Sequence, residues 1–397
     1  MKGIQFESSS LFSKWAKPRI FGSGDLYNAT MATSREQTKR RGPALTAYNP
    51  LFAAWLGSKL DKYHNPSHLT YQRDLVGLED GGMVAVDAVT DSTATPNPAL
   101  PNILHLPGGG MHTFSPRTRR ISDWFLQAGF PAVYIANRRG CCNVPLYTPR
   151  ISLFVGEYND TAQVVEHLVE HQPNKKWILI GSSSGAAQAL DYLSKASSDR
   201  DQIIGGVFDS VMFNGARWLD TMRNDHCFTV QKTVEINVKL WSREALRNPA
   251  NDEVRNQVAK LVDKDKFLDS KIRNMNRPDL VNLLYDGLLS KLCHDSSLPL
   301  HTPEEFHMHA FPYYTNATRS FMNIKKPVVM VISQDDKIAR VGEDDVNVLM
   351  ENPDLCLWMY AGGAHMRYTS SYFPYHSFLR EVYLENVNLL TTLQLQS

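Results

Sequence analysis

Cysteine is scarce in this chain of 397 residues: Cys141, Cys142, Cys227, Cys293 and Cys356 are odd in number and scattered, apart from one adjacent pair. No C-x-x-C spacing offers a thiolate cage for a metal. A disulfide framework is not expected in a chain this long, so a reducing, cytoplasmic setting is the expectation. Also lacking is an uncharged apolar run of about 18 residues, so no membrane-spanning helix is expected. The opening MKGIQFESSSLFSKWAKPRI has no apolar stretch of the kind a secretory signal needs, and the sequons at Asn28, Asn159 and Asn316 therefore read as incidental. Charge of one sign is not in excess either: Lys plus Arg is 42 against Asp plus Glu 41, which leaves no global field to select nucleic acid. Internal repeats are absent.

What is present is enough apolar sequence, 43% of residues, for a full core and one large or two modest domains. Residues 1–70 are mixed, with Pro18, Pro43, Pro50 and Pro66 and a basic cluster Lys39-Arg40-Arg41. They read as an N-terminal extension packed on the body. The apolar piece Tyr48–Leu60 is too short to span a bilayer and is assigned to that packing rather than to a membrane surface. From Tyr71 the pattern becomes regular. Asp80-Gly81-Gly82 is a hairpin-type turn into the strand Met83–Val89. Strand-like apolar runs follow at Asn102–Leu106, Ala132–Ala136, Trp177–Ile180, Ile203–Val211, Val328–Ile332 and Leu355–Tyr360. Helical stretches alternate with them, at Thr118–Gly129, at an apolar face of Val164, Val165, Leu168 and Val169 behind a capping box Asp160/Gln163, and at Asp344–Glu351 and Ser377–Leu389. Such alternation predicts an α/β fold with a mostly parallel central sheet flanked by helices. Residues 213–324 break the alternation with polar, helix-rich sequence too long for a loop, and are expected to form a helical cap. The core then comprises 71–212 and 325–397.

One stretch carries the chemistry. Trp177–Ile180 is a buried-strand run, Gly181-Ser182-Ser183-Ser184-Gly185 follows, and Ala186–Leu193 has helical composition. Strand, G-x-S-x-G, helix is the context in which the middle serine, Ser183, sits exposed on a tight turn as a nucleophile; alone, the motif is often just a serine-rich turn. A serine hydroxyl needs a histidine to take its proton and a carboxylate to orient that histidine. Val328–Ile332 runs into Ser333-Gln334-Asp335-Asp336, and Leu355–Tyr360 runs into Gly362-Gly363-Ala364-His365. An acid and then a histidine in loops at the ends of successive strands can both reach that serine along one edge of a parallel sheet. His365 is chosen because it is the histidine in that late loop. His301, His307 and His309 fall in the expected cap, and His105 and His112 flank a glycine loop. Asp336 is preferred to Asp335. Pro107-Gly108-Gly109-Gly110 lacks the G-K-[ST] ending of a phosphate loop. It reads instead as half of an oxyanion hole, with the N–H groups of Gly109 and Ser184 as donors.

With these residues in place the chain resembles the α/β-hydrolase superfamily, and within it the AB hydrolase 4 family of YheT-like esterases and animal α/β-hydrolase domain-containing lipases. The likeness runs from about Tyr71 onward. Tyr71–Ala88 is similar to the family's first strand pair, Pro107-Gly108-Gly109 to its oxyanion turn, and Arg139-Gly140-Cys141 to its Arg-Gly-Cys loop with Thr148-Pro149 after it. Ser333–Lys337 stands for the Asp-Asp-Pro acid loop, which favours Asp336, and Gly362–His365 for the Gly-Gly-His turn. Ser184 replaces a leucine of the family elbow, Lys337 the proline, and Ala364 is an addition or substitution in the histidine turn. The resemblance implies the α/β-hydrolase fold, with the cap inserted before the strand carrying the acid. It also implies a carboxylic-ester hydrolase without metal or cofactor, acting on acylglycerols, phospholipids or short- to medium-chain esters, with peripheral membrane contact as a possible partner surface. Two other readings stay open: a non-catalytic fold that binds a ligand or partner, which would need none of Ser183, Asp336 and His365, and an acyltransferase using the same three.

Overall fold

In the computed structural model the described residues are 19–37, 66–144, 147, 158–196, 201–212, 221, 321–360, 365, 366, 369–372 and 375–396. The expected cap, all but one of its residues up to 320, lies outside them, as do Tyr48–Leu60 and Gly362–Ala364. The described elements are, in chain order, strand β1 (Arg19–Gly22), helix α1 (Gly24–Gln37), β2 (Leu69–Gly77), β3 (Met83–Asp91), β4 (Asn102–Leu106), α2 (Pro116–Gln127), β5 (Val133–Ala136), α3 (Tyr158–His171), β6 (Trp177–Ser182), α4 (Ser184–Lys195), β7 (Ile203–Asp209), β8 (Val328–Ser333), α5 (Glu343–Glu351), β9 (Leu355–Tyr360), β10 (Thr369–Tyr372), β11 (Tyr375–Ser377) and α6 (Phe378–Gln396).

Nine strands form one sheet in the order β1-β9-β8-β7-β6-β4-β5-β3-β2. From β5 through β4, β6, β7 and β8 to β9 every pairing is parallel, while β2, β3 and β1 add antiparallel strands at the two sides. The mostly parallel sheet flanked by helices expected from the alternation is therefore found. Its inner strands β4, β6, β7, β8 and β9 are buried along their whole length, which is why they appear in the sequence as near-continuous apolar runs rather than as alternation. β2, at the edge of the sheet, is mostly exposed, with Gln72–Leu75 exposed on both faces.

One hydrophobic core fills the sheet face under α2, α6 and α1. Ile178, Ile180, Val207, Val329, Val331 and Trp358 meet Phe125, Val382, Tyr383, Val387 and Leu390 there. α3 and α4, which contact each other and of which α4 contacts β6, cover the opposite face. The inner strands, buried along their length, are open only at their ends. The loops after β4, β6, β7, β8 and β9 share the C-terminal edge, the place where ligands bind in parallel α/β sheets.

Two local readings change. Asp160 and Gln163 do not form a capping box, because α3 begins at Tyr158. The Asp160 carboxylate instead takes two hydrogen bonds of 2.6 Å from Arg139, and the Gln163 side chain accepts from the Glu79 N–H at 2.8 Å. In addition, Arg19–Gly22 is an outer strand of the main sheet, paired with Cys356–Met359. Its four residues hold only two large apolar side chains, too short a pattern to announce a strand on its own.

Candidate active site

Ser183 lies between β6 and α4 at φ 54°, ψ −121°, a backbone region that costs a non-glycine residue about 1–3 kcal/mol. The surroundings impose it. Its N–H donates to the Asp209 carbonyl at 2.9 Å, and its own carbonyl accepts from Ala187 N–H at 3.1 Å in the first turn of α4. The two motif glycines are steric requirements. A Cβ on Gly185 would sit 2.0 Å from the Leu106 carbonyl oxygen, and one on Gly181 would sit 2.6 Å from the Ala186 Cα. Strand and helix can therefore cross this tightly only with glycine on both sides of the serine.

The acid and the histidine arrive from the loops after β8 and β9, along the same sheet edge. Asp336, 2% exposed, accepts hydrogen bonds from the N–H groups of Ile338 and Ala339 at 2.8 and 2.9 Å through Oδ1. Its Oδ2 lies 2.8 Å from His365 Nδ1, and His365 Nε2 lies 2.9 Å from Ser183 Oγ. A carboxylate can only accept, so Nδ1 carries the proton donated to Asp336 and Nε2 is left to accept the serine hydroxyl. Asp335 is turned elsewhere and accepts from the Ser333 hydroxyl. His365 thus joins a serine 182 positions before it and an acid 29 positions before it in one continuous hydrogen-bonded chain. Such a chain can draw the proton from the serine oxygen as that oxygen bonds to an electrophile.

The elements behind His365 were not legible in the sequence. Five non-glycine residues have positive φ among the described residues, and three of them, Ser183, Ser210 (φ 52°) and Met366 (φ 62°), meet here. The Met366 N–H donates to Ser210 Oγ at 2.9 Å, and its carbonyl accepts from the Arg117 guanidinium. Arg117 Nη2 also pairs with Asp209 Oδ2 at 3.0 Å. The other Asp209 oxygen accepts from the hydroxyls of Ser182 and Tyr383. Asp209 is 0% exposed, so this buried carboxylate ties the serine turn to the histidine turn through Arg117. Burial, with Asp209 beside it, pushes the Tyr383 phenol well above its ordinary range and keeps it a neutral donor. The pairings bridge 92 residues (Arg117–Asp209) and 174 residues (Tyr383–Asp209), distances no local motif can signal.

The glycine loop packs directly on the serine turn. Gly108 to Met111 is a turn closed by Met111 N–H to the Gly108 carbonyl at 3.0 Å. A Cβ on Gly108 would approach the Ser182 carbonyl oxygen to 3.1 Å and Ser183 Cβ to 3.3 Å. That bond does not use the Gly109 N–H, for which no backbone partner is found among the described residues, and Ser184, at the start of α4, has one of the N–H groups that a helix leaves without an internal partner. Next to the loop, Asp87 is buried and takes 2.7 and 2.8 Å bonds from Arg73, a bond from the Thr113 hydroxyl and one of 2.9 Å from Asn137, which fixes the segment leading into α2.

The other expected histidines stand apart. His105 is fully buried with neither ring nitrogen hydrogen-bonded, and burial plus the Arg117 charge pulls it down to about 3, so it stays neutral. His112 Nδ1 accepts from Phe114 N–H at 3.2 Å. His301, His307 and His309 lie outside the described residues. Among the described residues Cys142 and Cys356 are free thiols, and no group of three or more His, Cys, Asp or Glu is arranged to hold a metal ion. No described helix is long and apolar enough to cross a membrane.

No family model matches the chain. Over 240 residues, 58% of the chain, it is 25% identical to the monoacylglycerol lipase of Saccharomyces cerevisiae, of whose length it spans about half, 46%. Over 336 residues, 83% of the chain, it is 23% identical to an abhydrolase domain-containing protein of Dictyostelium discoideum, spanning 76% of that protein. Among solved structures, the esterase Est22 covers 94% of the chain at 14% identity with a TM-score of 0.49, the match extending over 92% of that esterase.

Proposed function

We propose that the chain is a member of the α/β-hydrolase superfamily and a serine carboxylic-ester hydrolase working through an acyl-enzyme. The observation that carries the proposal is the hydrogen-bonded line from Asp336 through His365 to Ser183, with Ser183 on the strained turn and a glycine loop against it. In the first half-reaction Ser183 Oγ bonds to the ester carbonyl carbon, its proton passes to His365 Nε2, and the carbonyl π pair moves onto oxygen. The N–H groups of Gly109 and Ser184 are assigned to that oxyanion. Collapse expels the alcohol oxygen, which leaves with the proton from Nε2. Water then repeats the sequence on the acyl-enzyme and releases the carboxylic acid. Asp336 keeps its charge throughout and favours the imidazolium.

The finer reading is a lipid ester, and the likeness to a protein named monoacylglycerol lipase puts acylglycerols first, before phospholipids and short- to medium-chain esters. Membership of the AB hydrolase 4 family belongs to this proposal and rests on the motifs quoted above. So does a cap made by residues 213–324, which would line the path of the acyl chain. The test is a panel of a 1-monoacylglycerol, a phospholipid and a short p-nitrophenyl ester, assayed with the full chain and with Ser183→Ala. Hydrolysis that disappears in the variant supports the reading. Inertness of the wild type toward every ester, or full activity in the variant, refutes it. Analysis of products with an added alcohol acceptor separates hydrolysis from acyl transfer.

A further inference from the structure

Arg138 follows β5 by two residues and is almost wholly enclosed, 6% exposed. Its Nη2 donates both to the Pro107 carbonyl at 2.9 Å and to Ser184 Oγ at 2.6 Å, while its Nε has no hydrogen-bond partner. Among the described residues no carboxylate pairs with it. Other arginines of this region do have carboxylates: Arg139 pairs with Asp80 and Asp160, and Arg117 with Asp209. Burial lowers the guanidinium to about 10, the adjacent Cys141 acting in the opposite sense, so Arg138 is still a cation at neutral pH. An enclosed cation without a counter-ion is costly to any fold. Had spacing been the sole need, a neutral side chain would have bridged the same two acceptors.

The two oxygens that Arg138 holds define what it does. Pro107 opens the turn that carries Gly109, and Ser184 is the residue after the nucleophile. Arg138 therefore spans the two segments whose N–H groups are assigned to the oxyanion. We infer that Arg138 is the positioning residue of the oxyanion pocket: it fixes the Pro107 turn against the start of α4, and its uncompensated charge favours the state in which the substrate carbonyl oxygen has become negative. Among the described residues the resting cation has only neutral acceptors, and in the tetrahedral state it gains an anion held by the segments it bridges. Such a preorganised charge lowers the barrier without tightening the ground state. The inference rests on the serine-hydrolase reading above.

The test pairs steady-state hydrolysis of a short p-nitrophenyl ester with inhibition by an alkyl trifluoromethyl ketone. The ketone accepts the Ser183 oxygen to give a hemiketal with a negative oxygen, and so reports on the tetrahedral state. Arg138→Met is expected to lower kcat by about 30-fold and to weaken the ketone by a similar factor, with KM held within about threefold. Arg138→Lys should regain part of both losses. A purely structural role would give instead a fall that follows thermal stability, with ketone affinity unchanged relative to KM. Ser184→Ala removes the side-chain acceptor and keeps the backbone N–H, and should move kcat and ketone affinity together by about tenfold. If Arg138→Met does not fold by circular dichroism, Ser184→Ala decides. Ketone affinity equal to wild type in whichever of these variants is folded overturns the inference. A wild type that neither cleaves the ester nor binds the ketone overturns the serine-hydrolase reading first, and this with it.

Discussion

Ser183, Gly185 and Asp336 are single residues whose neighbours leave them few replacements. At Gly185 the limit is steric: an alanine methyl there would lie 2.0 Å from the Leu106 carbonyl oxygen, so Gly185→Ala must push β4 and α4 apart. A loss of about 3 kcal/mol or more in urea unfolding is expected, with soluble yield falling accordingly. At Asp336 the limit is electrostatic. Asp336→Asn keeps the shape but offers His365 an amide, which permits the wrong tautomer, so kcat should drop by about 10³–10⁴-fold. Asp335→Asn, whose carboxylate faces Ser333, should leave kcat within about threefold on the same assay. Equal losses in the two variants would mean that the acid has been misassigned. This residue scale was the most legible in the sequence, because a nucleophile turn and two strand-end loops each have a local signature. Arg117, Asp209 and Arg138 have none, since each is defined by partners far away in the chain.

At the scale of elements, the histidine turn depends on α2. Arg117, near the N-terminus of that helix, holds the Met366 carbonyl and Asp209 together, and Met366 sits at φ 62° only under such restraint. Arg117→Met is expected to cut kcat by about 10- to 100-fold while KM changes little, because a small displacement of His365 spoils attack more than binding. Stopped-flow labelling by a fluorophosphonate should slow in proportion. Helix α4 offers a prediction of stability rather than rate. Burial pushes the Asp191 carboxyl up from 3.8 to about 6, even with Lys195 Nζ 3.0 Å away. Between those values the folded chain keeps a proton that the unfolded chain releases, so this group's contribution falls as pH rises through the window. Above it the ionised carboxylate costs on the order of 2–3 kcal/mol. Asp191→Asn should therefore raise the Tm at pH 7.5 and lose that advantage near pH 4, read by thermal melts at both values. The elements themselves were largely foreseen: Asn102–Leu106 and Leu355–Tyr360 are strands with the bounds that their apolar runs mark. α6 runs on to Gln396, beyond the Leu389 that amphipathic patterning suggested. β1 escaped notice because four residues take their strand character from pairing with β9.

At the scale of the whole molecule, the parallel strands bring Ser183 and His365, 182 residues apart, to one edge of the sheet. The order serine, acid, histidine along the chain becomes a side-by-side order in space because β6, β7, β8 and β9 are parallel neighbours. That arrangement was readable in outline, since alternating apolar runs and helices permit few topologies. The measurement closest to the central claim is peptide mapping by mass spectrometry after reaction of the full chain with a fluorophosphonate. A single phosphonyl adduct on Ser183, absent from Ser183→Ala and slow to form in Asp336→Asn, is the result this geometry predicts. An adduct on another residue, kept in full by Ser183→Ala, would contradict it.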